Sequence, residues 1–98
     1  NAVTLGKSGL EQLEALKLKH PIIHEVRGLG LFYGIDLKLN NQPASDQADA
    51  ILYHSLSNGL SYKVGGGSIL TLCPPLTINN DELTQAFSII ENGINSLH

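Results

Sequence analysis

Few residues of this chain have the type or spacing to do chemistry. Arg27 stands just before Gly28-Leu-Gly30; a planar guanidinium there can grip a carboxylate through two parallel hydrogen bonds or cap strand-end carbonyls. Anchoring is the reading adopted for it. Gly28-Leu-Gly30 opens like a dinucleotide-binding fingerprint, but position 33 is Tyr and the flanking pattern is that of a strand, not a strand-to-helix turn. The two glycines therefore read as structural, marking a bulge or a close approach of another backbone. Lys63-Val-Gly-Gly-Gly-Ser68 is glycine-rich without the Gly-Lys-Ser/Thr order of a phosphate loop, and reads as a hairpin connection. His20 and His24 have the spacing of metal ligands on a helix, yet Pro21 breaks any helix between them. His54 reads as solvent-facing and His98 is terminal. Cys73, between Leu72 and Pro74 with no base nearby, reads as a small buried apolar residue and not as a nucleophile. Taken alone, these residues assemble no self-sufficient active site.

The elements that position them follow from periodicity. Leu5, Leu10, Leu13 and Leu16 recur at helical spacing, and Lys17, Lys19 and Pro21 close the pattern, which predicts a helix from about Val3 to Lys19. Leu29, Leu31, Tyr33, Ile35 and Leu37 alternate with Gly30, Phe32, Gly34, Asp36 and Lys38, so Val26–Lys38 reads as one strand. Asn40–Pro43 is a loop. Asp46–Asn58 reads as a second helix, with Ala48, Ile51, Leu52 and Leu56 on its apolar face and Gly59 as its left-handed cap. Leu60–Val64 is a short strand, and Gly65–Ser68 turns into an apolar strand ending at Leu72. Pro74 and Pro75 lack the N–H that a ladder needs, so pairing stops before them. Asn79 and Glu82 form a capping-box start for the last helix, which carries Leu83, Phe87, Ile90, Ile94 and Leu97 on one side. The order α-β-α-β-β-α predicts an α+β domain: a small, mainly antiparallel sheet with helices packed on it.

Composition fits one small domain. The chain has 98 residues, 42% of them hydrophobic, and a formal net charge of -3 with no basic patch, which argues against nucleic acid and anionic membranes as partners. No run reaches the length of a membrane span. With a single cysteine an internal disulfide is excluded, and a reducing cytoplasmic setting is the simplest fit. Methionine is absent and an amphipathic pattern begins almost at Asn1, so the expectation is a piece of a longer protein. Such a piece should leave apolar helix surface uncovered, on the first helix foremost.

Two stretches in register carry a resemblance. His20-Pro-Ile-Ile-His-Glu-Val-Arg-Gly-Leu-Gly-Leu-Phe-Tyr-Gly-Ile-Asp-Leu37 is similar to the HP-x-V-x-x-VRG-x-GL-x-x-GI-x-L stretch of class III pyridoxal-phosphate aminotransferases. Asn58-Gly-Leu60, then Ile69-Leu-Thr-Leu-Cys-Pro-Pro-Leu-Thr-Ile78 and Asp81-Glu-Leu83, resembles their G–strand–PPL-x-I-x-x-x-E-L ending. Together they cover nearly the whole chain.

The resemblance implies that residues 1–98 are the C-terminal small domain of a fold-type-I α/β enzyme that moves an amino group from a donor to a keto acid. It implies pyridoxal 5'-phosphate in the full-length protein but not on this stretch, which lacks the Schiff-base lysine and should be inactive alone. It further implies a large cofactor-binding domain in the same chain, a homodimer, and small-molecule amine and keto acid substrates. In this family the strand leading into the Pro-Pro elbow walls the substrate cleft. Thr71 and Leu72 are then cleft-wall candidates, with Cys73, Pro74 and Pro75 fixing their backbone and Arg27, Gly28 and Gly30 structural. Members that bind an α-carboxylate carry an arginine two residues before the residue that precedes the prolines. Thr71 holds that place here and has no charged fork for a carboxylate. The resemblance therefore leans to an amine or ω-amino acid donor of the taurine or β-alanine type, with pyruvate as acceptor. The competing reading is a stand-alone α+β interaction or regulatory module, since a fold does not fix a function.

Overall fold

A computed structural model describes residues 2–66, 68–75 and 77–97. Gly67 of the expected hairpin, Leu76 of the Pro-Pro motif and His98 lie outside the described residues. The elements are α1 (Ala2–Lys19), β1 (Ile23–Leu29), β2 (Phe32–Leu39), β3 (Gln42–Pro43), α2 (Ser45–Ser57), β4 (Lys63–Gly65), β5 (Ile69–Leu72) and α3 (Asn80–Asn95). The main sheet runs β1-β2-β5-β4 with every neighbouring pair antiparallel, and β3 pairs with the far end of β2. This is the small α+β domain with three helices and an antiparallel sheet that the residue pattern predicts.

The strand expected over Val26–Lys38 is in fact a hairpin, so the order of elements is α-β-β-β-α-β-β-α. The turn shifts the phase of the alternation: Leu29 pairs with Phe32 across Gly30-Leu31, which leaves Leu29 83% exposed while Leu31 and Tyr33 are buried. Gly30 has φ +58 at the first turn position, where a side chain would be strained. The expected close approach of another backbone also falls there. A Cβ on Gly6 of α1 would overlap the carbonyl of Gly30, so α1 rests on the hairpin turn through a glycine. The bulge lies elsewhere in β1, where the register shifts between Ile23 and Glu25. Asn40 and Asn41, both at positive φ, make the tight turn from β2 to β3, a conformation asparagine tolerates better than most residues.

All three helices feed one face of the sheet. Leu13 and Leu16 of α1, Ala48 and Ile51 of α2, and Leu83, Phe87, Ile90 and Ile94 of α3 pack on Val26, Tyr33, Ile35, Leu37, Leu70 and Leu72. Tyr33 is fully buried, meets Phe87 edge to face at 5.4 Å, and donates its hydroxyl to the Gly6 carbonyl at 3.3 Å. Helix α3 starts with the expected capping box: the Asn79 side chain accepts from the Glu82 N–H at 2.8 Å, and Glu82 accepts from the Asn79 N–H at 3.1 Å. Helix α2 ends with Gly59 at φ +84, its N–H on the Leu56 carbonyl and that of Leu60 on the Ser55 carbonyl, a Schellman closure.

The face of α2 needs one correction. Leu56 is exposed, and Ser55 takes the buried position instead. Its hydroxyl donates to the Ile51 carbonyl at 2.8 Å, which leaves its oxygen to accept from the Tyr62 hydroxyl at 2.9 Å. A buried hydroxyl is tolerable because both of its bonds are made. On α1, Leu18 is 88% exposed. With Leu10 and Ala15 it lines an open groove of about 490 Å³ edged by Lys7, Glu11 and Glu14, the uncovered apolar helix surface expected there.

Candidate functional site

A strand sends successive side chains to opposite faces. Since the helices cover one face of this sheet, the residues that alternate with the core form a second, open face. On β1 these are Glu25, Arg27 and Leu29; on β2, Phe32, Gly34 and Asp36; on β5, Ile69 and Thr71; on β4, Lys63 and Gly65. Gly34, in the middle, has open space above its backbone, only the edge of Ile69 coming near. The result is a depression of about 100 Å³ bordered by Glu25, Arg27, Phe32, Gly34, Asp36, Ile69 and Thr71.

Its electrostatics are simple. Arg27 donates to the Glu25 carboxylate at 3.0 Å. That hydrogen bond and the paired charge pull the Glu25 carboxyl below the usual carboxylate range and push the Arg27 guanidinium up. The pair is exposed and contributes little to stability. Asp36 lies beside Glu25 in the register, so negative charge gathers on the β1–β2 side of the depression. Lys63 supplies positive charge on the β4 side, and among the described residues it enters no ion pair.

The residues singled out from sequence fall in different surroundings. Thr71 lies on the open face at the depression, half-buried. Leu72 is 3% exposed and points into the core. Cys73 is exposed, which corrects the expectation of a buried residue: Leu70 and Leu72 face inward, so the next alternate position faces out. Strand β5 ends at Leu72, ahead of Pro74 and Pro75, and the Pro75 carbonyl accepts from the Ile78 N–H at 3.0 Å in the turn toward α3. Arg27 is on the open face, Gly28 sits under Leu10 of α1, and Gly30 makes the hairpin turn. His20 bonds to Glu91 of α3 at 2.9 Å, while His24 is exposed and lies at the register shift of β1. His54 is half-buried against Gly93, more enclosed than its expected solvent-facing position. Gly34, Asp36, Ile69 and Lys63 were missed as site residues. The alternation marked which of them share a face, but only the register sets them side by side.

Among the described residues no group of three or more His, Cys, Asp and Glu is disposed to hold a metal ion, and no helix is long and apolar enough to cross a membrane. The described residues do not fit pyridoxal phosphate by themselves. Lys7, Lys17, Lys19, Lys38 and Lys63 are exposed or half-exposed. Lys7 borders the open groove on α1 and Lys19 a shallow cavity between α1 and α3 that also holds Glu91, and neither offers a cradle for a phosphate.

The chain is a two-layer α+β unit with one open sheet face, and its strand β5 stops ahead of the prolines that lead to α3. The profile of the class III aminotransferase family matches residues 1–94, and the chain belongs to that family. It is 41% identical over 87 residues to the (R)-1-hydroxy-2-aminoethylphosphonate ammonia-lyase of Vibrio splendidus, covering 86% of this chain and 18% of that protein. Among solved structures it resembles a phospholyase from Arthrobacter in complex with phosphoethanolamine, at TM-score 0.93 and 26% identity over 99% of this chain and 24% of that one. It also resembles the acetylornithine aminotransferase of Elizabethkingia anophelis, at TM-score 0.85 and 35% identity over 97% of this chain and 24% of that one. The chain thus spans about a fifth of the length of the proteins it matches. Its fold is that of a portion of the fold-type-I enzymes.

Proposed function

We propose that residues 1–98 are the C-terminal small domain of a pyridoxal-phosphate enzyme acting on an amine whose reacting carbon bears no carboxylate. The open face of the sheet forms one wall of its substrate cleft. The observation that carries this reading is Thr71. It stands half-buried at the glycine-floored depression, where it can offer a neutral hydroxyl but not the charged fork that grips an α-carboxylate. Leu72 supports that wall from the core side, and the Pro74-Pro75 elbow ends the strand behind it. A donor of the taurine, β-alanine or simple amine type, with a keto acid such as pyruvate as acceptor, fits this wall. The relatives named for an aminophosphonate and for phosphoethanolamine support the same substrate shape: an amine with an anionic tail in place of an α-carboxylate.

Pyridoxal phosphate, held by a large domain of the same chain, would supply the electron sink. This domain would bind and orient the donor and close the cleft to water. The groove of Leu10, Ala15 and Leu18 on α1 is apolar surface that a further domain would cover. We place the enzyme in the cytoplasm as a homodimer, and expect the 98-residue chain alone to be inactive.

The test is the visible absorbance of the full-length gene product with a panel of amines and pyruvate. A cofactor band that shifts with ω-amines, and much less with ornithine or other α-amino acids, is the expected result. A full-length protein that is colourless and fails to bind pyridoxal phosphate would overturn the reading.

A further inference from the structure

On the open face, Arg27 lies opposite Gly34, Gly34 opposite Thr71, and Thr71 opposite Lys63. One continuous row therefore crosses four strands with a cation at each end and a glycine and a threonine between. Val64, the neighbour of Lys63, packs against the core, which sets Lys63 on the same face as Thr71. Directly opposed residues have their Cβ atoms about 5 Å apart. A lysine's four-carbon stem can cross that spacing of about 4.8 Å and bring its ammonium over Thr71 and the bare backbone of Gly34.

The two ends of the row are not equivalent. Arg27 is already bonded to Glu25 at 3.0 Å, and Asp36 adds a second carboxylate on that side. Repulsion from these acids drives any anion in the depression toward β5 and β4. There the Lys63 ammonium and the Thr71 hydroxyl remain to receive it. They stand on neighbouring strands as single donors, and lack the coplanar pair of N–H groups that suits a planar carboxylate. Phe32 and Ile69 border the same depression and give a short carbon chain an apolar wall.

We propose that Lys63, with Thr71, is the subsite for a tetrahedral oxyanion tail, a phosphonate, phosphate or sulfonate, on the amino substrate. The inference rests on the reading of the open sheet face as substrate wall and narrows the donors that reading allows.

Binding is measured calorimetrically on the full-length protein with ethylphosphonate, ethanesulfonate and propionate, which carry tails but no amine to react. The two tetrahedral anions are expected to bind more tightly than propionate. Lys63→Ala should weaken them about tenfold to a hundredfold, the range for one charge-assisted hydrogen bond, and Lys63→Arg should retain most of the affinity. Lys63 is exposed, so the variant should melt like the parent. In turnover, the preference for 2-aminoethylphosphonate over 1-aminopropane should fall by the same factor. Equal binding by the parent and Lys63→Ala, failure of both tetrahedral anions to bind, or an equal drop for the tailed and tailless amines would overturn the proposal. Because the binding arm needs no turnover, a protein inactive on every amine would sink the functional reading without touching this one.

Discussion

The contact between α1 and the β1–β2 turn makes a sharp prediction, because two effects of one methyl group oppose each other. Gly6 lies in the interior of α1, where replacing glycine by alanine gains about 0.8–1 kcal/mol of helix propensity. At this position, however, the new Cβ would overlap the carbonyl oxygen and carbon of Gly30. The obstacle is backbone, held in a turn at φ +58 and continuous with a paired strand, so it cannot rotate aside as a side-chain tip would. Overpacking of this kind costs about 1–3 kcal/mol, and more where nothing gives. With backbone as the obstacle the cost falls at about 2–3 kcal/mol, so the overlap should win by about 1–2 kcal/mol once the propensity gain is deducted. For a domain of this size that is a fall of about 4–16 °C in melting temperature. Thermal unfolding of the chain followed by circular dichroism measures it. Ala15→Gly, at an exposed position of the same helix, calibrates propensity alone and should cost about 1 kcal/mol. If Gly6→Ala raised the melting temperature, α1 would not touch the hairpin as described, and the reasoning would fail.

Two other perturbations probe the core. Ser55→Ala removes the acceptor for the Tyr62 hydroxyl and should destabilise by about 1 kcal/mol, since Tyr62 is only half-buried and water can replace part of the bond. Adding Tyr62→Phe should cost less than the sum of the two single changes; strict additivity in urea unfolding would mean that the pair is not coupled. Burial pushes the Tyr33 phenol above its ordinary value, and burial likewise raises that of Tyr62, with the Ser55 bond opposing. The unfolded chain therefore releases these protons first, so stability should fall as pH rises above about 10, the usual tyrosine value. Tyr33→Phe should flatten that alkaline limb without abolishing it, as Tyr62 still titrates. An unchanged limb would show that Tyr33 does not contribute.

Much of the fold was legible because it depends on local rules. The 3.6-residue stripes located three helices, the Asn79–Glu82 spacing located a cap, Gly59 located a helix end, and the prolines located the end of β5. Each acts within a few residues, so neighbours in sequence suffice. The hairpin at Gly30-Leu31 escapes the pattern because Leu29 is apolar yet exposed: a two-residue turn shifts the phase of the alternation, and a leucine on the open face masks that shift. Cys73 was misread as well, because an apolar neighbourhood in sequence says nothing about which face a residue takes once the strand has ended.

By itself, then, the sequence determined that this chain builds three amphipathic helices and a small antiparallel sheet, and its two motif stretches marked the class III aminotransferase family. It also determined that a neutral threonine stands before the Pro-Pro elbow. Only the tertiary structure decided that the helices all cover one face, leaving Thr71 on the other while Leu72 enters the core. Only the register decided that Arg27, Gly34, Thr71 and Lys63 form one row. Pairing between strands far apart in the chain is set by which side chains must be buried together, and a slip of one residue would turn every side chain of a strand to the opposite face. No local pattern carries that information, because the constraint exists only once the core has formed.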